Sequence, residues 1–190
     1  MTNHFNRHIE GIDLEFWHDI IESRGELVFL NKGDSVCRFG QRTNKVGYVK
    51  SGYLIYTIDG FDRIGGFTFP GALFGDYPNC LHNLPARFDI VAGRKSEVWL
   101  MDATVLESLF DSDPTINHHG RQFAQAAYNS LIERYCSLLS GTPSERYQSL
   151  IARYPQLEQE VPQKEIAKYL QITPTHLSRI RKEMLGKTQL

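Results

Sequence analysis

The spacing of hydrophobic residues changes several times along the chain, and the first segment has the spacing of an α-helix. Asp13 precedes this segment as a helix cap and Gly25 follows it as a stop signal. Over residues 13–24 the apolar positions recur every three or four residues, which predicts one helix with a single buried face. That face is formed by Leu14, Trp17, Ile20 and Ile21.

From about residue 26 to 101 the helical spacing is replaced by short runs that alternate or are wholly apolar. The runs are ELVFL, SVCRF, KVGYV, YLIYTI, RIGGFTF, FDIVA and SEVWLM, separated by KGD, SGY, DGFD and PGALFGDY. Short strands with turn residues every 8–12 positions or so are typical of an antiparallel barrel or double-sheet roll. The expected fold class is therefore α+β, with an antiparallel β-roll of the jelly-roll type and flanking helices.

Helical spacing returns at Asp102 and continues into an unusually long second helix. Leu106, Leu109 and Phe110 predict a short amphipathic helix, after which Asp113-Pro114 supplies a cap and a first-turn proline. The next helix can run to about Ser140, a length of roughly 39 Å.

One face of this long helix carries a seam of apolar residues suited to a partner helix. The seam consists of Phe123, Ala127, Leu131, Tyr135 and Leu138. It packs on its own β-roll or meets its symmetry mate in a two-fold dimer, and a helix of this length can do both. We therefore expect a homodimer.

The C-terminal segment is divided into short helices by proline and glycine. Thr142-Pro143-Ser144-Glu145 is a capping box that opens a helix through Tyr154. Pro155 and the polar stretch LEQE are expected to break that helix. A second helix begins at Pro162 and ends near Leu170. The last helix begins at Thr173-Pro174 and is expected to stop at Gly186. The predicted domains are an effector-sensing β-roll (1–112), a dimerisation helix (113–140) and a helix-turn-helix domain (141–190).

Residues 163–182, QKEIAKYLQITPTHLSRIRK, have the pattern of a helix-turn-helix. Ala167 allows the second helix to cross close to the first, and Gln171 stands where glycine usually adopts the left-handed turn conformation. The apolar wedge between the helices is predicted to comprise Ile166, Leu170, Ile172, Leu177 and Ile180.

The free face of the last helix is polar and basic, as a helix in the DNA major groove requires. Arg179 is suited to bidentate contact with guanine, while Thr175 and His176 lie in the first turn, where base edges are reached. Phosphate contacts are expected from five polar side chains. These are Lys164, Thr173, Ser178, Arg181 and Lys182.

Charge is distributed unevenly along the chain. The net charge is −1, but residues 164–190 hold six basic side chains against two acidic ones. A basic tail on an acidic body fits a protein whose tail alone approaches phosphates, although a solvated surface would look similar.

The cysteines, the histidines and the hydrophobic segments indicate the cellular compartment and exclude several kinds of chemistry. Cys37, Cys80 and Cys136 are odd in number and far apart, which argues against a disulfide framework or a metal knuckle and fits small buried hydrophobes in a reducing cytoplasm. No segment is apolar enough to span or target a membrane. No set of closely spaced histidines suggests a metal-dependent enzyme of the cupin type, and the cysteines lack the spacing of an iron–sulfur or haem sensor.

The segment ITPTHLSRIRK resembles the recognition helix of Crp–Fnr transcription regulators, and the resemblance extends over nearly the whole chain. LNKGDSV, YVKSGYLIYTI and FPGALFGDY resemble the turn glycines and phosphate-binding cassette of cyclic-nucleotide-binding domains. The resemblance implies a dimeric regulator that binds double-stranded DNA, with base contacts from Thr175 and Arg179. It also implies an effector pocket around Phe74, Gly75, Asp76 and Arg87.

Two departures from the family pattern change what is expected. Arg87 is followed by the bulky Phe88 and the acidic Asp89 where the cassette has a small residue, which argues against cyclic AMP and for another small effector or none. In this respect the chain resembles the Bacteroidetes-type branch of the family. Only five residues follow Leu185, too few for a full β-hairpin wing. The alternative function is an effector-binding module that no longer binds DNA.

Overall fold

Two four-stranded antiparallel sheets form the body of the protein. The structure is a computed structural model that describes residues 11–58 and 62–187. Its strands are β1 (Glu26–Leu30), β2 (Ser35–Cys37), β3 (Lys45–Ser51), β4 (Leu54–Thr57), β5 (Ile64–Thr68), β6 (Leu73–Gly75), β7 (Asp89–Ala92) and β8 (Ser96–Asp102). The strand orders are β1-β8-β3-β6 and β2-β7-β4-β5, and the predicted β-roll is confirmed.

Helices cover the outer faces of both sheets. They are α1 (Leu14–Arg24), α2 (Ala103–Ser112), α3 (Pro114–Ser140), α4 (Pro143–Arg153), α5 (Leu157–Glu160), α6 (Gln163–Leu170) and α7 (Pro174–Lys187). The predicted caps are present: Asp13 accepts from the Phe16 amide at 3.0 Å, and Asp113 accepts from the Thr115 amide at 2.8 Å. Thr142 and Glu145 form the expected capping box.

Three apolar clusters hold these layers together. One fills the space between the sheets and includes Val49, Leu54 and Val98. A second joins α1, α2 and the start of α3 to the first sheet. The third joins the outer face of β4 and β5 to helices α4–α7, so the C-terminal helices share a core with the β-roll.

Four details of the sequence prediction were wrong. The segment PGALFGDY contains β6 as well as turns, because Leu73–Gly75 pairs with β3. The LEQE stretch forms α5, since Leu157 is fully buried and anchors a short turn of helix. Gly186 does not stop the last helix, which includes Lys187. Cys136 is exposed on α3, whereas Cys37 and Cys80 are buried as expected.

Candidate nucleic-acid interface

Helices α6 and α7 form the predicted helix-turn-helix, and the turn between them is fixed by backbone hydrogen bonds. Gln171 adopts the left-handed conformation (φ 57°, ψ 44°) predicted for this position. Its amide donates to the α6 carbonyls of Ala167 and Lys168. The Ile172 amide also donates to Ala167, at 3.0 Å, so three residues suffice to redirect the chain into α7.

The wedge between the two helices is as apolar and as closed as the sequence predicted. Ile172 packs against its edge, and the other predicted members are buried inside it. The buried residues are Ile166, Ala167, Leu170, Leu177 and Ile180. One side of α7 is therefore buried against the protein, and the opposite side is free to meet a partner.

The opposite side of α7 is exposed and carries the predicted base-reading residues. Arg179 is 69% exposed, and its nearest acidic neighbour is Glu183, one turn along the helix at 3.9 Å. Thr175, Ser178 and Lys182 are also exposed. An ion pair of this length between solvated side chains is weak, so the guanidinium can reach an incoming ligand.

The first turn of α7 is organised by its cap. The Thr173 hydroxyl accepts from the His176 amide at 3.1 Å, and His176 itself is half-buried. Thr173 and Lys164 are both exposed at the edge where α7 begins. The free amides of this first turn add partial positive charge to that edge.

Arg181 differs from the other predicted phosphate-binding residues because it already has a carboxylate partner. Its Nε donates to Glu158 at 2.8 Å, and its side chain is only 31% exposed. Glu158 also accepts from the Tyr147 hydroxyl at 2.7 Å. Arg181 therefore ties α7 to α4 and α5.

Two arginines outside the motif fix the end of α6, and sequence reasoning missed both. Arg134 of α3 donates to the Tyr169 carbonyl, and its guanidinium lies 3.8 Å from the centre of the Tyr169 ring. Arg146 of α4 donates to the Leu170 carbonyl at 3.0 Å. Cations at a helix C-terminus are favourable, and these two set the helix-turn-helix against the long helix. Residues so distant in sequence give no local signal of this contact.

The β-roll contacts the helix-turn-helix directly through the residue before β4, the β4–β5 connection and β5. The Tyr53 hydroxyl donates to Glu165 of α6 at 2.8 Å, and Asp62 pairs with Lys168. Phe67 of β5 lies 5.4 Å from Tyr169 between ring centres. The position of α6 therefore depends on side chains of the second sheet.

Helix α3 exposes a stripe of large apolar residues on its second half. Two members of the predicted seam, Leu131 and Tyr135, are exposed, while Phe123 and Leu138 are partly buried. Ala127 is exposed as well. The stripe, called the α3 stripe below, consists of Tyr128, Leu131, Ile132, Tyr135 and Leu139.

The predicted effector residues come together, but they bond to one another. Asp76 is fully buried and accepts from Arg87 through Nε (2.9 Å), Nη2 (2.6 Å) and the backbone amide (2.7 Å). The Gly75 amide donates to the Tyr56 hydroxyl at 3.3 Å. Phe74 is buried between the sheets. The residues present therefore fit a phosphate group poorly, because Nε and Nη2 of Arg87 and the Gly75 amide already have acceptors within the chain.

Asp89 forms its hydrogen bond with a different part of the chain. Its carboxylate accepts from the Phe39 amide at 3.0 Å. The acidic residue that faces Arg87 is thus Asp76, whereas the sequence pointed to Asp89 as the group that would repel a phosphate.

Among residues 11–58 and 62–187, the cysteines and histidines form no metal site. Burial, and after it the charge of Asp76, raises the pKa of both the Cys37 and the Cys80 thiol to about 11, so these thiols stay protonated. In the part of the chain that the structure describes, no group of three His, Cys, Asp or Glu side chains could hold a metal ion. Within the same residues, no helix is both long and apolar enough to cross a bilayer.

The chain was compared with known proteins by sequence and by structure. Residues 27–113 match the cyclic nucleotide-binding domain family. Among curated protein sequences, none is significantly similar to the chain.

Solved structures show the fold more fully. FixK2 from Bradyrhizobium japonicum has a TM-score of 0.73 at 17% identity, with 86% of each chain covered. The c-di-GMP-responsive global regulator CLP from Xanthomonas campestris has a TM-score of 0.65 at 14% identity, with 93% of each chain covered. A protein assigned to the Crp/Fnr family of transcriptional regulators, from Eubacterium rectale, has a TM-score of 0.65 at 16% identity, covering 89% of this chain and 82% of its own. The chain thus has the fold of Crp/Fnr structures along most of its length.

Proposed function

We propose that this protein is a dimeric, cytoplasmic transcription regulator of the Crp–Fnr type, which reads a two-fold DNA operator with helix α7. The observation that carries the proposal is the exposure of Arg179 on the free side of a helix whose other side is buried. The similarity to regulator structures supports a regulator; DNA reading is inferred from α7 itself.

The proposed contacts divide into two kinds. Arg179, Thr175 and His176 contact base edges in the major groove, with Arg179 bidentate to guanine. Lys164, Thr173, Ser178 and Lys182 contact phosphates and set the register of the helix. Arg181 joins them only if it releases Glu158, and we therefore assign it the role of holding α7 in place.

The dimer places two copies of α7 on one side of the molecule. The α3 stripe forms the two-fold contact, since it is the large apolar surface on the long helix. Arg134 lies on the same helix and bonds to the end of α6. Pairing of the long helices would thereby fix the separation of the two recognition helices.

A salt titration of binding to random duplex DNA tests this function. If Lys182 contacts a phosphate, replacing it by Gln should reduce the slope of log K against log salt by about two, one contact in each protomer. Lys32→Gln, on the β-roll, is the matched control and should leave the slope unchanged.

The main alternative is an effector-binding module that does not bind DNA. It predicts no shift of duplex DNA at any salt concentration. Binding that does not respond to salt would also contradict the phosphate contacts proposed here.

A further inference from the structure

In the segment that resembles a phosphate-binding cassette, the carboxylate of Asp76 lies against Arg87, the arginine that would contact a phosphate. Asp76 has a side chain that is 0% exposed, while the Arg87 side chain that it binds is 50% exposed. Three N–H groups of Arg87 converge on this one carboxylate. Nε and Nη2 both donate to Oδ1, and the backbone amide donates to Oδ2, so both oxygens of the carboxylate are occupied by Arg87.

Two further hydrogen bonds near this pair also occupy donors that a phosphate would use. A further hydrogen bond from Arg87 Nη2 goes to the Tyr77 carbonyl at 2.7 Å. The Gly75 amide is taken by the Tyr56 hydroxyl. Burial raises the pKa of this phenol to about 12, so it stays neutral and adds no charge to the site.

Aromatic side chains lie beside this pair. The Phe88 ring contacts the Tyr56 ring edge-on, with 5.3 Å between centres. The Arg87 guanidinium lies 5.5 Å from the centre of the Phe88 ring. A bulky ring thus follows the arginine, where a small residue would let a ligand approach the backbone.

We propose that Asp76 serves as an internal anion for Arg87, so that this β-roll does not bind cyclic nucleotides or other phosphate effectors. A phosphate anion that took over Nε and Nη2 of Arg87 would remove two of the three hydrogen bonds that Arg87 gives to the buried Asp76 carboxylate. It would also face that like charge at close range. Any effector of this sensor would therefore have to be recognised without the arginine–phosphate contact.

This inference concerns the sensing site of the proposed regulator, but its test does not use DNA. Isothermal titration calorimetry of the full chain with cyclic AMP, cyclic GMP and cyclic di-GMP should show no binding up to about 1 mM ligand. A dissociation constant in the micromolar range for any of the three would overturn the proposal. Either result leaves DNA binding to be judged separately.

A gain of affinity in a variant provides the positive test. Asp76→Asn removes the charge but keeps the shape, and it should increase the affinity for sulfate or cyclic AMP by at least about tenfold over the wild type. Asp89→Asn is the matched control, since its carboxylate bonds to Phe39 instead, and it should bind as the wild type does.

Equal affinity in the two folded variants would contradict the role given to Asp76. If Asp76→Asn does not fold, the wild-type titration still decides the proposal, because it requires no variant.

Discussion

Removing one apolar side chain from the α3 stripe should weaken the dimer by a predictable amount. Leu131→Ala deletes three carbons, worth about 0.8 kcal/mol each when fully buried. Leu131 is 64% exposed in the single chain, so about two-thirds of that value is gained on dimerisation. The loss is therefore about 1.5 kcal/mol in each protomer.

A two-fold interface contains the substitution twice. The dimer should lose about 3 kcal/mol, which corresponds to a dissociation constant roughly 150-fold higher. Sedimentation equilibrium over a range of protein concentrations measures this change directly. The stability of the monomer should be little affected, because the side chain is exposed there.

Asn129→Ala is the matched control on the same helix. Asn129 is exposed and lies about 160° around the helix from Leu131, outside the stripe. Its replacement should leave the dissociation constant within about threefold of the wild type. If Leu131→Ala dimerises as tightly as Asn129→Ala, or if the wild type is monomeric, the stripe is not the dimer contact.

Three further substitutions test the packing and the caps. Leu177→Ala opens a cavity in the helix-turn-helix core and should lower the free energy of unfolding in urea by about 2–5 kcal/mol; a loss below about 1 kcal/mol would refute the wedge. Tyr53→Phe should lower it by about 1–2 kcal/mol. That effect should become smaller when Glu165 is already Ala, which removes the acceptor, as a double-mutant cycle would reveal. Burial alone would raise the pKa of Asp102, but hydrogen bonds from Thr104 outweigh it and lower the pKa below 3.8. The stabilisation by this carboxylate is then complete above that value and lost as the pH falls through the folded pKa, so Asp102→Asn should flatten the acid side of the stability curve.

Features defined by neighbouring residues could be predicted from the sequence. The wedge of α6 and α7, the left-handed Gln171 and the Thr142–Glu145 capping box follow from patterns that span a few residues. Each pattern has one physical explanation, such as a buried face at 3.6-residue spacing or a side chain that accepts from a nearby amide. Seven of the strands could also be located, because each is a short run of alternating or wholly apolar residues between turn residues.

Contacts between distant parts of the chain could not be predicted in this way. Nothing near Arg134 indicates that its side chain reaches the end of α6, and nothing near Tyr53 indicates a bond to Glu165, more than a hundred residues away. The pairing of Asp76 with Arg87 was missed for a related reason. A sequence motif shows which groups are present but not which of them satisfy one another.

The two shortest missed elements, β6 and α5, could not be predicted from the spacing of hydrophobic residues either. Strand β6 has three residues and lies inside a segment rich in glycine and proline, so its local composition favours a turn. It forms because β3 offers it a pairing edge. Helix α5 depends in the same way on the burial of a single residue, Leu157.

Selection of bound fragments from random duplex DNA tests most directly whether α7 reads DNA. An inverted repeat with half-site centres about 10 base pairs apart should be enriched. With Arg179→Ala, the preference for guanine at one position of each half-site should disappear, while the spacing stays the same. Enrichment of no sequence, or of one asymmetric site whose base preferences are unchanged in the Arg179 variant, would show that α7 does not read a two-fold operator.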